Sequence, residues 1–308
     1  MLCVILDGQN KFGGGTMIEL RITDVRPLPG DSSFLIDDGK TSILYDTGFG
    51  FTGDRLAENV KKELGTRKLD YIFLTHSHYD HVLGAVYVQK LYPEAKIVAG
   101  EYAAKIFEKP SAKSTMRRLD RRFARKCGVY EYEDLIDNLK VDISVCDGDT
   151  VKAGDMTFNV INLPGHTKCS IGFYLAENKL LLNSETLGVY FGENTILPIC
   201  LVGYEMSLDS FKRVEELEVE NMLVPHYGLL NKDETKFFLE NSEKVLRQTA
   251  QHVVEIFSRG GTAEDALKFF EENFYTEVIR PTYPIDAFLL NTSIMIELIR
   301  KELMPEIA

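Results

Sequence analysis

The stretch Tyr71-Ile-Phe-Leu-Thr-His-Ser-His-Tyr-Asp-His81 decides how the chain is read. Its first four residues form a short apolar run that reads as a buried strand, and Thr75 marks the strand's end. Beyond it His76, His78, Asp80 and His81 offer four metal-ligating side chains within six residues, and three of the chain's six histidines fall here. In an extended segment, residues two apart project to the same side, so His76 and His78 can grip one ion together. Asp80 and His81 lie just beyond and can turn toward a second. Imidazole nitrogens combined with a carboxylate suit zinc, iron or manganese.

Toward the N-terminus, residues 2–50 alternate short apolar runs (2–6, 17–22, 33–36 and 42–45) with the turn sequences Gly13-Gly-Gly15 and Asp37-Asp-Gly39. That alternation predicts antiparallel hairpins. Asp46-Thr-Gly48 ends the last of these strands, and residues 54–64 read as a helix closed by Gly65. After the histidine stretch, residues 82–91 read as a helix ending before Pro93, and 96–99 as the next strand. Strand and helix therefore alternate, as in a layered α/β fold.

Residues 101–127 differ in character. Met116, Leu119 and Phe123 recur at helical spacing and give one apolar face. Around them stand Lys113, Arg117, Arg118, Arg121, Arg122, Arg125 and Lys126, with Asp120 the only acid between 111 and 126. This local reversal of charge suits a solvated face complementing acidic neighbours, an insertion at a pocket mouth that draws in an anionic substrate, or a partner surface.

A second run of strands (141–146, 156–161, 171–175 and 179–182) predicts a second sheet. Residues 207–219 read as a helix capped by Ser207, and 221–224 as the last strand. After residue 230 the strands stop. Residues 235–257, 263–274 and 285–303 read as three helices, the first two capped by Asp233 and Thr262. His252, inside the first, reads as structural.

The chain carries a formal charge of −12 and is 44% hydrophobic, ample for a core and adverse to nucleic acid or an anionic membrane surface. No apolar run approaches the ~20 residues that span a bilayer, and the first residues lack the basic segment of a signal peptide. Five scattered cysteines without a C-x-x-C pair predict reduced, mostly buried thiols and a cytoplasmic protein.

His76-Ser-His-Tyr-Asp-His81 resembles the H-x-H-x-D-H motif of the metallo-β-lactamase-fold hydrolases. Pro164-Gly-His166-Thr and Pro225-His226-Tyr-Gly resemble that family's later histidine motifs, and Tyr45-Asp46-Thr-Gly48 its early Asp-Thr-Gly. The resemblance covers roughly residues 17–230. It implies an αββα four-layer sandwich over residues 1–230, with the basic segment as an insertion and residues 231–308 as an all-helical cap. It also implies a site for two divalent ions (zinc, iron or manganese). His76, His78 and His166 would hold one ion, and Asp80, His81 and His226 the other. Glu185 stands where the family usually has a bridging Asp; with one more methylene it can bridge, bind one ion or displace the second. Asp46 would orient a ligand histidine from behind.

The activity so implied is hydrolysis of an acyl ester-type bond, a thioester or lactone among them, by a metal-bound hydroxide, with Asp80 orienting it or carrying a proton. Tyr190, Tyr204 and Tyr227 are candidate oxyanion donors. The basic insertion and helical tail narrow the likeness to the thioesterase-like branch typified by quinolone-signal response proteins. That likeness would set Phe288, Asn291 and Thr292 at the substrate entrance. The expected partner is a small ester-like, anionic substrate, without nucleic acid or membrane, and the C-terminal helices offer a homodimer interface. Three alternatives stay open: a binding or regulatory protein that retains the metal site, a phosphodiesterase, and an iron-dependent oxidoreductase on the same fold.

Overall fold

A computed structural model describes residues 17–305 and the backbone of residues 3–6, so the Gly13-Gly-Gly15 turn and the Cys3 thiol lie outside the described residues. The central strand of the opening motif is β5 (Tyr71–Leu74). It belongs to a seven-stranded sheet in which β1 (Cys3–Leu6), β2 (Leu20–Asp24), β3 (Phe34–Asp37), β4 (Ser42–Tyr45), β5, β6 (Lys96–Gly100) and β7 (Ile143–Val145) pair in chain order. The first four are antiparallel, with a tight turn of residues 38–41 between β3 and β4. The pairs from β4 to β7 are parallel, because each return passes through helices. Those helices are α1 (Gly53–Leu64), α2 (Tyr79–Val82), α3 (Ala85–Leu91), α4 (Glu101–Phe107) and α5 (Pro110–Lys126).

The second sheet has the order β15-β14-β11-β10-β9-β8. Its strands are β8 (Thr150–Ala153), β9 (Met156–Asn162), β10 (Ile171–Leu175), β11 (Leu180–Leu182), β14 (Asn221–Val224) and β15 (Gly228–Leu230). Between β11 and β14 the chain forms a small ribbon, β12 (Val189–Tyr190) with β13 (Ile196–Leu197), and then α6 (Tyr204–Glu215). The tail is α7 (Lys232–Ser258), α8 (Ala263–Phe274) and α9 (Ile285–Leu303).

Alternation along the strands sorts side chains into three layers of core. Phe34, Ile36, Tyr45 and Phe73 of the first sheet meet Phe158, Phe173, Leu182 and Leu223 of the second. The Phe73 and Phe173 rings stack at 4.4 Å. Their neighbours Leu35, Leu44, Ile72, Leu74 and Ile97 turn the other way, onto α1, α3 and α4. On the far side Ile161, Leu181, Met222 and Val224 pack under α6 and the tail helices. The result is an αββα sandwich with a C-terminal helical extension. Among the described residues no helix is long and apolar enough to cross a membrane.

Several expectations are corrected. Strand 143–145 joins the first sheet beside β6 rather than the second, after a crossover through α4 and α5. The helix expected over 82–91 divides at Gly84, where a Cβ would lie 2.0 Å from the Thr47 carbonyl oxygen, and the basic segment divides before Pro110. Ser207 is no cap: α6 starts three residues earlier, and the Ser207 hydroxyl donates to the Gly203 carbonyl. Asn231, not Asp233, caps α7 in a reciprocal capping box with Glu234. Thr262 does cap α8. Of the described cysteines, all free, Cys169 and Cys200 are buried but Cys127 and Cys146 are exposed.

Candidate metal centre

The residues expected to hold metal stand at the ends of strands, on one edge of the sandwich. After β5 the backbone stays extended through His78 (φ −74°, ψ 147°), which immediately precedes α2. His76 and His78 therefore face the same way, ring centroids 4.8 Å apart, and the first turn of α2 swings Asp80 and His81 back beside them. The three other residues come from loops of the second sheet. His166 follows Gly165, whose Cβ would lie 2.1 Å from the Ser207 hydroxyl; a small residue there lets the loop lie against α6. Glu185 follows β11, and His226 follows β14 in a left-handed conformation (φ 66°).

Potential ligand atoms from His76, His78, His166 and Glu185 lie within 4.8 Å of one another, and so do those from Asp80, His81 and His226. Glu185 reaches both groups: one carboxylate oxygen is 2.7 Å from His166 Nε2, and the other is 3.0 Å from His226 Nε2. The extra methylene has not moved it out of the centre.

Four of the histidines are fixed from behind. Nδ1 of His81 lies 2.8 Å from an Asp46 oxygen, that of His166 3.0 Å from the Ile199 carbonyl, and that of His226 2.8 Å from the Gly30 carbonyl. His76 Nδ1 is 3.0 Å from the Thr75 hydroxyl. Each contact leaves Nε2 facing the centre. Asp46 also accepts from the Thr75 amide at 2.9 Å, and the Arg26 guanidinium donates to the His226 carbonyl. Gly48 allows the Asp46 loop to touch the buried Asp31, whose carboxyl oxygen would lie 1.8 Å from a Cβ there; burial pushes the Asp31 carboxyl up to about 7.

The donor chemistry fits a divalent cation. Nε2 of His76 and of His81 are buried without a hydrogen-bond partner, and Glu185, at 3.5 and 3.6 Å, is too distant to serve. Orphaned buried nitrogens of this kind are costly unless an ion takes them. Burial pushes His76 well below the usual histidine range and His78 down to about 4, which keeps them in the neutral form that binds metal. Burial acts on His81 in the same direction, but the Asp46 and Asp80 carboxylates outweigh it and hold that imidazole high. Burial would raise Glu185, yet His166 and its neighbouring imidazoles keep the carboxylate well below its ordinary range.

The centre opens into a cavity of about 460 Å³. Its floor includes His78, Asp80, His166, Glu185 and His226, and its walls are mostly apolar. From α5 come Leu119, Arg122, Phe123 and Lys126; from the tail come Tyr283, Ala287, Leu290, Asn291 and Ile294. Asn291 thus lines the cavity, whereas Phe288 and Thr292, expected beside it, turn into the tail's own core; Phe288 is fully buried against Tyr275 and Tyr283. The candidate oxyanion donors are also corrected. Tyr190 and Tyr227 direct their hydroxyls to Glu234, Tyr204 packs in the core beneath α6, and none of the three lines the cavity. Tyr79 and Tyr283 do. Tyr79 is readable inside the opening motif, while Tyr283 has only its place between Pro281 and Pro284 to mark it. His252 is not among the clustered ligand-type residues; its ring packs at a tilt on Phe269, centroids 4.9 Å apart.

Two cations of the basic segment are paired locally. Arg117 pairs with Asp134 and Asp137, and Arg121 with Asp134. Arg122 and Lys126 share Asp286 of α9 at the cavity mouth.

Residues 27–226 match the family model described as the metallo-beta-lactamase superfamily. Glyoxylase B2 of Dictyostelium discoideum is 30% identical over 145 residues, 46% of this chain and 44% of that protein. A hydroxyacylglutathione hydrolase of Rhizobium johnstonii is 27% identical over 168 residues, 53% of each. The chain therefore spans about half the length of these curated relatives. Among solved structures, a metallo-beta-lactamase family protein of Thermus thermophilus superposes with a TM-score of 0.57 at 16% identity, over 97% of this chain and 93% of that one. An archaeal superfamily member from Sulfolobus tokodaii gives 0.53 at 20% identity, over 72% and 80%. At such identities the likeness is one of fold.

Proposed function

This chain belongs to the metallo-beta-lactamase superfamily, and from that premise we propose that it is a metal-dependent hydrolase of an acyl ester-type bond, a thioester or lactone above all. The observation that carries the proposal is the convergence of seven ligand-type side chains, two with orphaned nitrogens, five of which line the floor of an apolar-walled cavity. His76, His78 and His166 would hold one divalent ion, Asp80, His81 and His226 a second, and Glu185 would span them. Ions so held supply a water of lowered pKa and a Lewis acid for the substrate's carbonyl oxygen.

The chain's own residues do the rest. Asp80 is a quarter exposed, borders the cavity and has a carboxylate oxygen 3.9 Å from His81 Nε2. It is suited to take a proton from the attacking water and return it to the leaving group. Asp46 keeps His81 in one tautomer, so the floor does not rearrange as charge develops. The apolar walls exclude water and accept the acyl group, which favours a carbon ester over a phosphodiester. Arg122 and Lys126 set two positive charges against one carboxylate at the mouth, which favours a substrate with an anionic end. In this reading residues 1–230 are the catalytic unit and 231–308 its cap, as in the thioesterase-like branch. The similarity to hydroxyacylglutathione hydrolases supports a thioester among the candidate bonds.

The deciding measurement is metal content per chain on purified protein, paired with hydrolysis of a thioester, a lactone and a phosphodiester. Two ions with metal-dependent turnover of the acyl substrates is the expected result. No bound metal and no turnover would sink the proposal.

A further inference from the structure

Tyr283 is the one cavity-lining tail residue that carries a phenol, and three contacts pin the segment that holds it. On one side Thr282 lies so close to Gly30 that a Cβ there would come within 2.6 Å of the Thr282 carbonyl oxygen. Gly30 has φ 76°, and its own carbonyl holds His226. On the other side Asp286 is gripped by Arg122 and Lys126 of α5. Between these anchors the Tyr283 ring packs on Phe191 at 5.9 Å and on Phe288 at 6.4 Å.

The hydroxyl has a defined polarity. The Asn291 amide nitrogen donates to it at 2.6 Å, and among the described residues that is the only hydrogen bond the hydroxyl makes. One lone pair is thus occupied, and the phenol's own proton is left for whatever enters the cavity. Burial keeps the phenol protonated, and Tyr283 lines the same cavity as Glu185 and Asp80. A neutral donor in the wall of that cavity is what a substrate carbonyl oxygen requires as it gains negative charge.

Resting on the hydrolase reading, we propose that Tyr283 is a catalytic residue that donates its phenolic proton in a hydrogen bond to the acyl oxygen of the bound substrate, with Asn291 as its positioning residue. The C-terminal extension then contributes to the chemistry as well as the walls. Asn291→Asp inverts the pair, because a carboxylate accepts the phenol's proton and removes the donor from the cavity. Tyr283→Phe removes it outright and keeps the ring.

The test uses the purified, metal-containing protein and hexanoate, whose carboxylate stands in for the acyl oxygens, with its affinity measured by calorimetry. Metal content and thermal melting are recorded in parallel. Tyr283→Phe and Asn291→Asp should each weaken hexanoate about ten- to a hundredfold, the loss expected for one hydrogen bond to a charged group, with metal content unchanged. Asn291→Gln, which can still donate, should keep most of the affinity. On the ester hydrolysed best, Tyr283→Phe should lower kcat by a similar factor. Hexanoate bound equally by wild type and Tyr283→Phe, or by neither, overturns the proposal. Weakened hexanoate binding with no ester hydrolysed by wild type would overturn the hydrolase reading and leave the donor standing.

Discussion

On the floor of the cavity, His81 and His226 each have the outer nitrogen tied to a named oxygen, and Asp46 and His226 are both held at positive φ. On the wall, Leu290 and Ile294 are 50% and 40% exposed. The floor is over-determined: local strain of order 1–3 kcal/mol per such residue is sustained because the surrounding packing and hydrogen bonds admit no other arrangement. The wall is held at a few anchors and filled with interchangeable apolar groups. Where atoms must be placed to a fraction of an ångström, the fold spends structure; where they need only exclude water, it does not.

The sharpest way to break this contrast is to remove one support of the floor. Asp46→Ala leaves His81 without its partner and strips the buried Thr75 amide of an acceptor. Metal affinity should fall about 10- to 100-fold, and stability by roughly a further 1–3 kcal/mol. Chelator competition and urea denaturation measure the two separately. If both stay at wild-type values, the floor is not held from behind.

Next in size is a pH effect in the middle of α5. Asp120 is buried, accepts from the Gly50 amide at 3.0 Å and from the Tyr132 hydroxyl at 2.5 Å, and joins α5 to the loop that follows Asp46-Thr-Gly48. Burial pushes its carboxyl up from 3.8 to about 6. Between those values the folded protein binds this proton more tightly than the unfolded chain does. The stability it contributes is therefore complete below about 3.8 and lost as pH rises through about 6. Asp120→Asn does not titrate. The difference in unfolding free energy between wild type and variant should shift toward the variant by up to about 3 kcal/mol from pH 4 to pH 7. A difference that stays flat with pH would contradict the assignment.

These two aspartates also mark how far the sequence can be read. Asp46 is legible because it ends a strand two residues before a glycine, in a stretch that resembles the family's early Asp-Thr-Gly. His166, Glu185 and His226 are legible only through the motifs around them, which resemble the family's in type and in order along the chain. Asp120, the lone acid in a basic helix, looks like surface charge, because only the tertiary contact with residues 50 and 132 buries it. The tail misleads for a related reason. Residues of α9 are apolar on both sides, one set facing the cavity (Ala287, Leu290, Ile294) and the other the core (Phe288, Met295, Ile299). A helix that is apolar nearly all round carries no periodic sign of which side is which. Strand 143–145 reads as part of the wrong sheet because neighbours in sequence usually pair, whereas a parallel pair needs a crossover.

On the wall, replacing Leu290 and Ile294 together by Ala should leave metal affinity within twofold while raising KM for a long acyl ester several-fold. Partial burial of two such side chains accounts for roughly 1 kcal/mol. The comparison rests on both numbers, so loss of metal in this variant would mean that wall and floor are one unit.

The smallest effect separates the two faces of α5. Arg121 is half exposed and reaches Asp134 at 2.9 Å, while Asp134 keeps Arg117 at 2.6 Å as a second partner. An exposed pair with a competitor for its carboxylate contributes about 0–1 kcal/mol, so Arg121→Ala should change stability by less than about 0.5 kcal/mol and turnover not at all. Arg122, one residue on, is as exposed, but it borders the cavity and shares Asp286 with Lys126. Its removal should raise KM for an ester with an anionic end and flatten the salt dependence of kcat/KM, with kcat and metal content unchanged, because screened attraction at the mouth acts on encounter rather than on bond cleavage. Equal kinetics for Arg121→Ala and Arg122→Ala across 20–500 mM salt (a range of about 21 to 4 Å in Debye length) would show that the whole basic segment is a solvated face, and that the charge at the mouth selects no substrate.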